Sequence, residues 1–145
     1  MSVEPIITVA AVTRLQKEFG WRGLNLGLET QKKGNGRNFA FDAVGYGPSI
    51  PDDEYLLCEV KKTKAELGRL DRLLKKFLGE GRNNEAGLKR DEVNAFRKLD
   101  HIRKSGAVIL WLVGPEGCER ICRIDRSSKS LRLLPSNIDD LAATI

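Results

Sequence analysis

The chain has 145 residues, of which 41% are hydrophobic and 31% are charged, and its formal net charge is +5 at pH 7. These values are typical of a soluble globular protein and exclude wholesale disorder. No apolar stretch approaches the roughly 20 residues that cross a bilayer, so we expect no membrane association. One domain over residues 1–145 is predicted. The three cysteines and the lack of an export signal predict a reducing, cytoplasmic location.

The first part of the chain predicts one helix followed by three strands. Residues 5–19 carry an apolar side chain at every fourth position, which is typical of a helix. Residues 24–30 alternate apolar and polar side chains, as a half-buried strand does. The glycine-rich turn QKKGNGR then leads into a second strand at residues 38–46. A third strand at residues 55–62 completes an antiparallel meander.

The second part predicts two helices and then two strands. Apolar stripes at residues 67–77 and 93–102 indicate helices. The continuous apolar run AVILWLV at 107–113 indicates a strand buried on both faces, as in parallel pairing. An edge strand at 118–124 and a short helix within 136–144 end the chain. The predicted fold class is an α/β sandwich whose mixed sheet, a meander plus a parallel strand, is flanked by helices.

Positive charge is concentrated in the two central helices. Between Lys61 and Lys104 there are 14 Lys or Arg residues and 7 Asp or Glu residues. Such a basic segment fits a polyanionic partner such as nucleic acid, although the solvated helix faces of many proteins are also basic. Cys118 and Cys122 lie four residues apart and share a strand face, which favours a place in the core. His101, the single histidine, is expected to have a structural or surface role.

The stretch EYLLCEVKKTK places Glu59 and Lys61 on the same face of the third strand. If residues 47–54 connect the second and third strands symmetrically, the numbers of paired residues sum to 101 and Asp42 lies opposite Glu59. Two opposed carboxylates destabilise a sheet unless a positive charge lies between them. Lys61 can supply that charge, and so can a divalent cation.

Magnesium fits this arrangement because Mg²⁺ takes one or two protein carboxylates and completes its shell with water and phosphate oxygens. Asp42 and Glu59 are the predicted ligands, and Mn²⁺ is expected to substitute for Mg²⁺. Lys61, further along the same face, can orient or deprotonate water and neutralise charge on phosphate. The pattern predicts metal-assisted hydrolysis of phosphodiester bonds.

The motifs FDAVGY and LLCEVKKT resemble those of the PD-(D/E)xK nuclease superfamily, over residues 5–114. The resemblance implies a restriction-endonuclease-like fold, nuclease activity on nucleic acid, with DNA favoured, and catalytic Asp42, Glu59 and Lys61. Glu59, Lys61 and Thr63 are also similar to the E-x-K-x-(S/T) form of Holliday-junction resolvases. Phe41 replaces the proline of the family motif. Asp52 lies only seven residues before Glu59, which favours a turn role for it.

The resemblance also implies an acidic metal ligand from the first helix. Glu18 is the best-placed candidate and Glu29 is the alternative, although either residue also fits a solvated surface charge. Thr63 either contacts phosphate or caps the helix that follows. The remaining candidates for nucleic-acid contacts are basic, and three of them fit a solvated turn equally well: Lys32, Lys33, Arg37 and Lys62.

The predicted function is that of a small Mg²⁺-dependent nuclease that selects nucleic-acid structure rather than a long sequence. A homodimer or a component of a larger complex fits a chain of this size. Two alternatives remain open at this point. One is a nucleic-acid-binding module of the same fold that does not cleave, and the other is an interaction protein that uses its basic face.

Overall fold

A computed structural model describes residues 4–28, 41–47, 54–127 and 130–142, which form three α-helices and six strands. Short 3-10 turns precede the first strand and follow the last one. The helices and strands, in chain order, are α1 (Glu4–Glu18), β1 (Leu26–Leu28), β2 (Ala43–Tyr46), β3 (Glu54–Val60), α2 (Lys64–Glu80), α3 (Arg90–Lys104), β4 (Ile109–Val113), β5 (Glu119–Asp125) and β6 (Arg132–Pro135).

The six strands form one mixed sheet in the order β1 to β6. Each neighbouring pair is antiparallel except β3 and β4, which are parallel and are connected through α2 and α3. The backbone N–H of Lys61 donates to Val113 O at 2.9 Å and continues this parallel pairing beyond β3. The predicted α/β architecture, with a meander and a parallel strand, is therefore confirmed. The prediction that β5 lies at the edge is wrong, because β6 pairs with its outer side.

The register between β2 and β3 follows the predicted sum of 101 as far as Gly45. It shifts between Gly45 and Tyr46, so Tyr46 pairs with Glu54 and the predicted pairing with Tyr55 is wrong. A bulge of this kind disturbs the alternation of side chains. Tyr55 accordingly packs against Trp21, with ring centroids 6.1 Å apart. The pairs that follow the prediction are Ala43 with Cys58, Val44 with Leu57, and Gly45 with Leu56.

Two apolar cores lie on opposite faces of the sheet and give the molecule three layers. On β4, Leu110 and Leu112 pack towards α2 and α3, whereas Ile109 and Trp111 pack towards α1. All five residues of β4 are buried, as its apolar sequence predicts. Within the described ranges, none of the helices has the length and apolar character that a bilayer span requires.

The ends of α2 are set by its flanking residues. Thr63 caps the helix at its start, and Gly81, in a left-handed conformation with φ of 64°, ends it. The predicted apolar stripe of this helix is buried against the sheet, at Leu67, Leu70, Leu74 and Phe77.

Two 3-10 turns occupy positions that were predicted as other elements. The first strand begins at Leu26, two residues later than predicted, because a 3-10 turn occupies Gly23–Asn25. The predicted C-terminal helix is a 3-10 turn at Ile138–Leu141, and its Leu141 O accepts a 2.6 Å hydrogen bond from the Trp21 indole. Trp21 also lies against Gly45, where a Cβ atom would approach the indole ring to 2.7 Å. This contact packs the N- and C-terminal segments on the α1 face.

Candidate active site

Two carboxylates meet where β2 begins and β3 ends. Asp42 immediately precedes β2, and its Oδ2 accepts a 2.7 Å hydrogen bond from the backbone N–H of Val60. Glu59 is the penultimate residue of β3, is only 5% exposed and forms a side-chain hydrogen bond with Asp42. The structure therefore brings together the two acidic residues that the register argument placed opposite one another.

Two lysines neutralise Glu59 from different elements. Lys61 Nζ lies 3.5 Å from Glu59 Oε2, and its side chain is 26% exposed. Lys98 Nζ, from α3, lies closer to the same oxygen, at 3.0 Å, and its side chain is 14% exposed. The Lys98 ammonium also lies 5.4 Å from the centroid of the Phe41 ring, a cation–π contact. The pair of acids thus has a pair of cations beside it.

The pKa of Glu59 is raised from its ordinary 4.5 to about 7. Burial is the largest cause, because it penalises the charged carboxylate. Lys98 opposes the rise more strongly than Lys61 does, and both the charge of Asp42 and its hydrogen bond add to the rise. Near neutral pH the protonated and the charged form of Glu59 are therefore both present, although two ammonium groups lie within 3.5 Å of its carboxylate.

Lys98 is the site residue that the sequence reasoning missed. It lies three residues after Ala95 and four before Ile102, both of which are buried on the inner side of α3. Residues at these spacings share one side of a helix. A lysine between two apolar positions was therefore a signal that its ammonium group is directed towards the sheet and needs an acidic partner.

A cleft of about 400 Å³ opens between the N-terminal halves of α2 and α3, next to these lysines. We call it the lysine cleft. Its acidic side chains include Asp91, which is bound by Arg69 at 2.5 Å and has its pKa lowered by that contact. The cations that line the lysine cleft outnumber its acids, and they are Lys61, Lys62, Arg69 and Lys98.

The donor set of the pair fits a hard divalent cation. Asp42 and Glu59 present carboxylate oxygens, the ligands that Mg²⁺ prefers in proteins. Because the pKa of Glu59 is about 7, a cation that binds there near neutral pH would displace the proton from the molecules that carry one. In the described ranges no group of three or more His, Cys, Asp or Glu residues is arranged to hold a metal.

The structure does not bring Glu18 to this pair. Glu18 ends α1, where its carboxylate pairs with Arg14 at 3.0 Å. The apolar residues of α1 pack with Leu56, Cys58 and Val60, which is the sheet face opposite that of Leu57 and Glu59.

Thr63 caps α2, because its hydroxyl accepts a hydrogen bond from the Glu66 N–H at 3.1 Å. Lys62 is exposed and lines the lysine cleft. His101 pairs with Glu54 at 2.7 Å and connects α3 to β3, which agrees with a structural role.

Several predicted or alternative site residues lie outside the described residues, namely Glu29, Lys32, Lys33, Arg37 and Asp52.

No protein-family model, curated protein or solved structure matches this chain. Two hydrogen-bonded carboxylates, one of them buried, lie beside two lysines at the border of a basic cleft. Such an arrangement can hold a cation and attract a phosphate group.

Proposed function

We propose that this chain is a Mg²⁺-dependent nuclease that hydrolyses phosphodiester bonds in nucleic acid, with DNA as the favoured substrate. The observation that carries the proposal is the contact between Asp42 and Glu59, with Lys61 beside them. A buried carboxylate next to a second carboxylate costs stability, and such costs are concentrated at functional sites. The basic lysine cleft beside the pair supports a polyanionic substrate.

We propose that the fold is of the restriction-endonuclease-like type. The order of elements along the chain supports this: a helix comes first, and it is followed by three antiparallel strands, a helical connection and a parallel strand. Asp42 directly precedes the second strand, Glu59 lies near the end of the third and Lys61 directly follows it, which supports the resemblance to the PD-(D/E)xK motif.

Each residue has a distinct part in the proposed reaction. Asp42 and Glu59 would hold Mg²⁺, which when bound polarises a phosphoryl oxygen and lowers the pKa of water. Lys61 orients the water and neutralises negative charge on the phosphate, and it can accept a proton only after losing its own. The water oxygen bonds to phosphorus and gives up a proton to solvent, the ester P–O bond breaks, and the departing oxygen takes up a proton from solvent.

Lys98 has a positioning role in this proposal. It reaches Glu59 Oε2 from α3 at 3.0 Å, while Phe41 covers its ammonium group. The contact holds the Glu59 side chain in one orientation next to Asp42. Because α3 also lines the lysine cleft, Lys98 couples the orientation of the acid to the wall of the cleft.

The test is cleavage of labelled DNA and RNA, in single-stranded, duplex and branched forms, with Mg²⁺ or Mn²⁺. Lys61→Ala is the inactive comparison. Lys76→Ala is the matched control, because Lys76 is exposed on α2 and does not line the lysine cleft. We expect cleavage by the wild type and by Lys76→Ala, and its loss in Lys61→Ala and in EDTA. Cleavage that survives both Lys61→Ala and EDTA would refute the proposal.

A second candidate is a nucleic-acid-binding module that does not cleave. The observation that favours it is the pairing of Glu59 with two ammonium groups, which satisfies the charge of this acid without a metal. The variant Glu59→Gln separates the two functions. A binding module keeps or improves its affinity, because negative charge near phosphate is removed, whereas the nuclease keeps binding and loses cleavage.

A further inference from the structure

A second cleft, of about 630 Å³, lies at the other end of the α2–α3 pair. The C-terminal ends of both helices form two of its walls, and the third consists of Arg126, Ser130 and Leu131, which lie between β5 and β6. Three arginines line it, one from each wall: Arg82, Arg103 and Arg126. We call it the arginine cleft.

Backbone carbonyl groups hold the three guanidinium groups in place. Arg103 donates to Arg82 O at 2.7 Å, and Arg126 donates to Ala107 O at 2.9 Å. Arg82 donates to Asn84 O at 3.0 Å and also to Ala86 O. A guanidinium carries five N–H donors, so these bonds use only part of each set. The arginines are therefore oriented before any ligand binds, and each has donors to offer.

Among the residues that the structure describes, the arginines of the arginine cleft have no acidic ion-pair partner. Across the ranges that the structure describes, no carboxylate lies within ion-pair distance of Arg82, Arg103 or Arg126. Asp100 also lines the cleft, but its carboxylate is bound by Lys104 at 2.8 Å. Three like charges in one concave surface repel one another, and an anion between them would relieve that repulsion.

Stabilisation of helix ends explains only part of this cluster. Arg82 and Arg103 lie at helix C-termini, where a cation interacts favourably with the helix dipole. Arg126 follows β5 instead and belongs to a different layer of the fold. All three residues line one cleft, which suits a phosphate group, because the planar guanidinium fork donates two parallel hydrogen bonds to phosphate oxygens.

We propose that the arginine cleft binds a phosphodiester group of the nucleic acid, several nucleotides away from the phosphate that is hydrolysed. This inference rests on the proposed function. Both clefts open along α2, one near Arg69 and the other near Gly81. Twelve residues of helix span about 18 Å. At about 3.4 Å per base pair, this distance corresponds to about five base pairs of duplex.

The test compares the binding of a short and a long labelled duplex, because only the longer one spans both clefts at about 3.4 Å per base pair. The long duplex has about twenty base pairs, and the short one has about four that a hairpin loop keeps paired. Binding is measured by fluorescence anisotropy in EDTA, which prevents cleavage. Arg126→Gln and Arg103→Gln are the variants, and Lys76→Gln is the control with the same change in charge.

We expect each arginine variant to bind the long duplex about tenfold more weakly, with a salt-dependence slope lower by about 0.9 for each lost phosphate contact. The short duplex should lose far less affinity, because it occupies one cleft at a time and can still bind in the lysine cleft. Equal effects on both lengths, an effect no larger than that of Lys76→Gln, or no binding of duplex by the wild type would overturn the inference.

Two further measurements separate this inference from the nuclease proposal and from the binding of a small phosphate compound. If the arginine variants weaken binding of the long duplex and no variant or wild type cleaves, the arginine cleft stands and the nuclease proposal fails. Inorganic pyrophosphate serves as the small-phosphate probe in calorimetry. Pyrophosphate binding that Arg126→Gln abolishes, with duplex binding unchanged, would assign the cleft to a small phosphate compound and overturn the inference.

Discussion

Glu59 and Asp71 are the two charged residues that are buried in the described part of the chain, and their surroundings differ. Asp71, on α2, binds Arg120 of β5 at 2.8 Å and Lys75 of its own helix at 3.1 Å. Both of these cations are about half exposed. Asp71 therefore cross-links helix and sheet through groups that remain hydrated.

Glu59 also has two cationic partners, but it has a second acid beside it as well. The cations that bind it, Lys98 and Lys61, are more buried than those of Asp71, and Asp42 forms a hydrogen bond with it. The difference is instructive because two cations around a buried acid are compatible with a purely structural cross-link. The additional carboxylate, with the raised pKa that it helps to cause, is what distinguishes a candidate reactive site.

The largest expected effect is that of Asp42→Asn on catalysis. The asparagine keeps an oxygen that can accept the Val60 N–H but removes the charge of a proposed metal ligand. We expect cleavage to fall on the order of 10³-fold, as when a group that stabilises the transition state is lost, and Mn²⁺ affinity measured by calorimetry to fall with it. Asp71→Asn is the comparison, and equal losses of cleavage in the two variants would remove the distinction between them.

The next effect is on the pH dependence of stability without metal. The folded pKa of Glu59, about 7, lies above its ordinary 4.5. Its contribution to stability is therefore present below pH 4.5 and is lost as the pH rises through about 7. The loss is on the order of 3 kcal/mol. Urea unfolding in EDTA should show this decline in the wild type and a flatter profile in Glu59→Gln.

Added Mg²⁺ provides the control for that profile. Because metal binds the charged carboxylate in the folded state, Mg²⁺ should restore stability above neutral pH in the wild type and not in Glu59→Gln. A difference between the two proteins that is the same at every pH would contradict the raised pKa of Glu59.

A smaller loss of stability is expected from Asp71→Asn. The substitution weakens two charge-assisted hydrogen bonds, but Arg120 and Lys75 can turn to solvent, so we expect a cost of about 2 kcal/mol in urea unfolding. Glu80→Gln, an exposed acid on the same helix, should cost far less. Cleavage per folded molecule should be unchanged in both. If Asp71→Asn abolished cleavage, the two buried acids would not have separate roles.

Thr63→Ala is expected to have the smallest effect. Loss of the cap of α2 should lower the free energy of unfolding by about 1 kcal/mol, and Thr63→Ser should restore it. Cleavage by the folded protein should be retained. If cleavage fell while stability was unchanged, Thr63 would contact phosphate instead. That alternative follows from its position two residues after Lys61.

The central part of the fold could be predicted from the sequence because its signals are local. The apolar run of β4 and the stripes of α2 and α3 need no knowledge of distant contacts. The register that brings Asp42 to Glu59 followed from the assumption that residues 47–54 connect β2 and β3 symmetrically. It failed at Tyr46, where a bulge adds a residue to one strand only, and the sequence contains no distinct signal for that bulge.

Other features depend on packing and were not accessible in this way. The segment at Arg132–Pro135 lacks an alternating pattern, since β6 is mostly exposed and pairs only with β5. Lys98 reaches Glu59 across 39 positions of sequence, and its direction depends on how α3 rotates over Phe41. The arginine cleft brings together three elements whose relative placement follows from the whole sheet.

The position of the two tryptophans has a consequence for spectroscopy. Trp21 and Trp111, the complete tryptophan content of the chain, both belong to the core beneath α1. Intrinsic fluorescence therefore reports on that layer, while the layer that carries both clefts emits no tryptophan signal of its own. Phe96→Trp, on α3, would add a fluorophore there, and comparison of the two emission signals during unfolding would reveal whether the layers separate in one step or two.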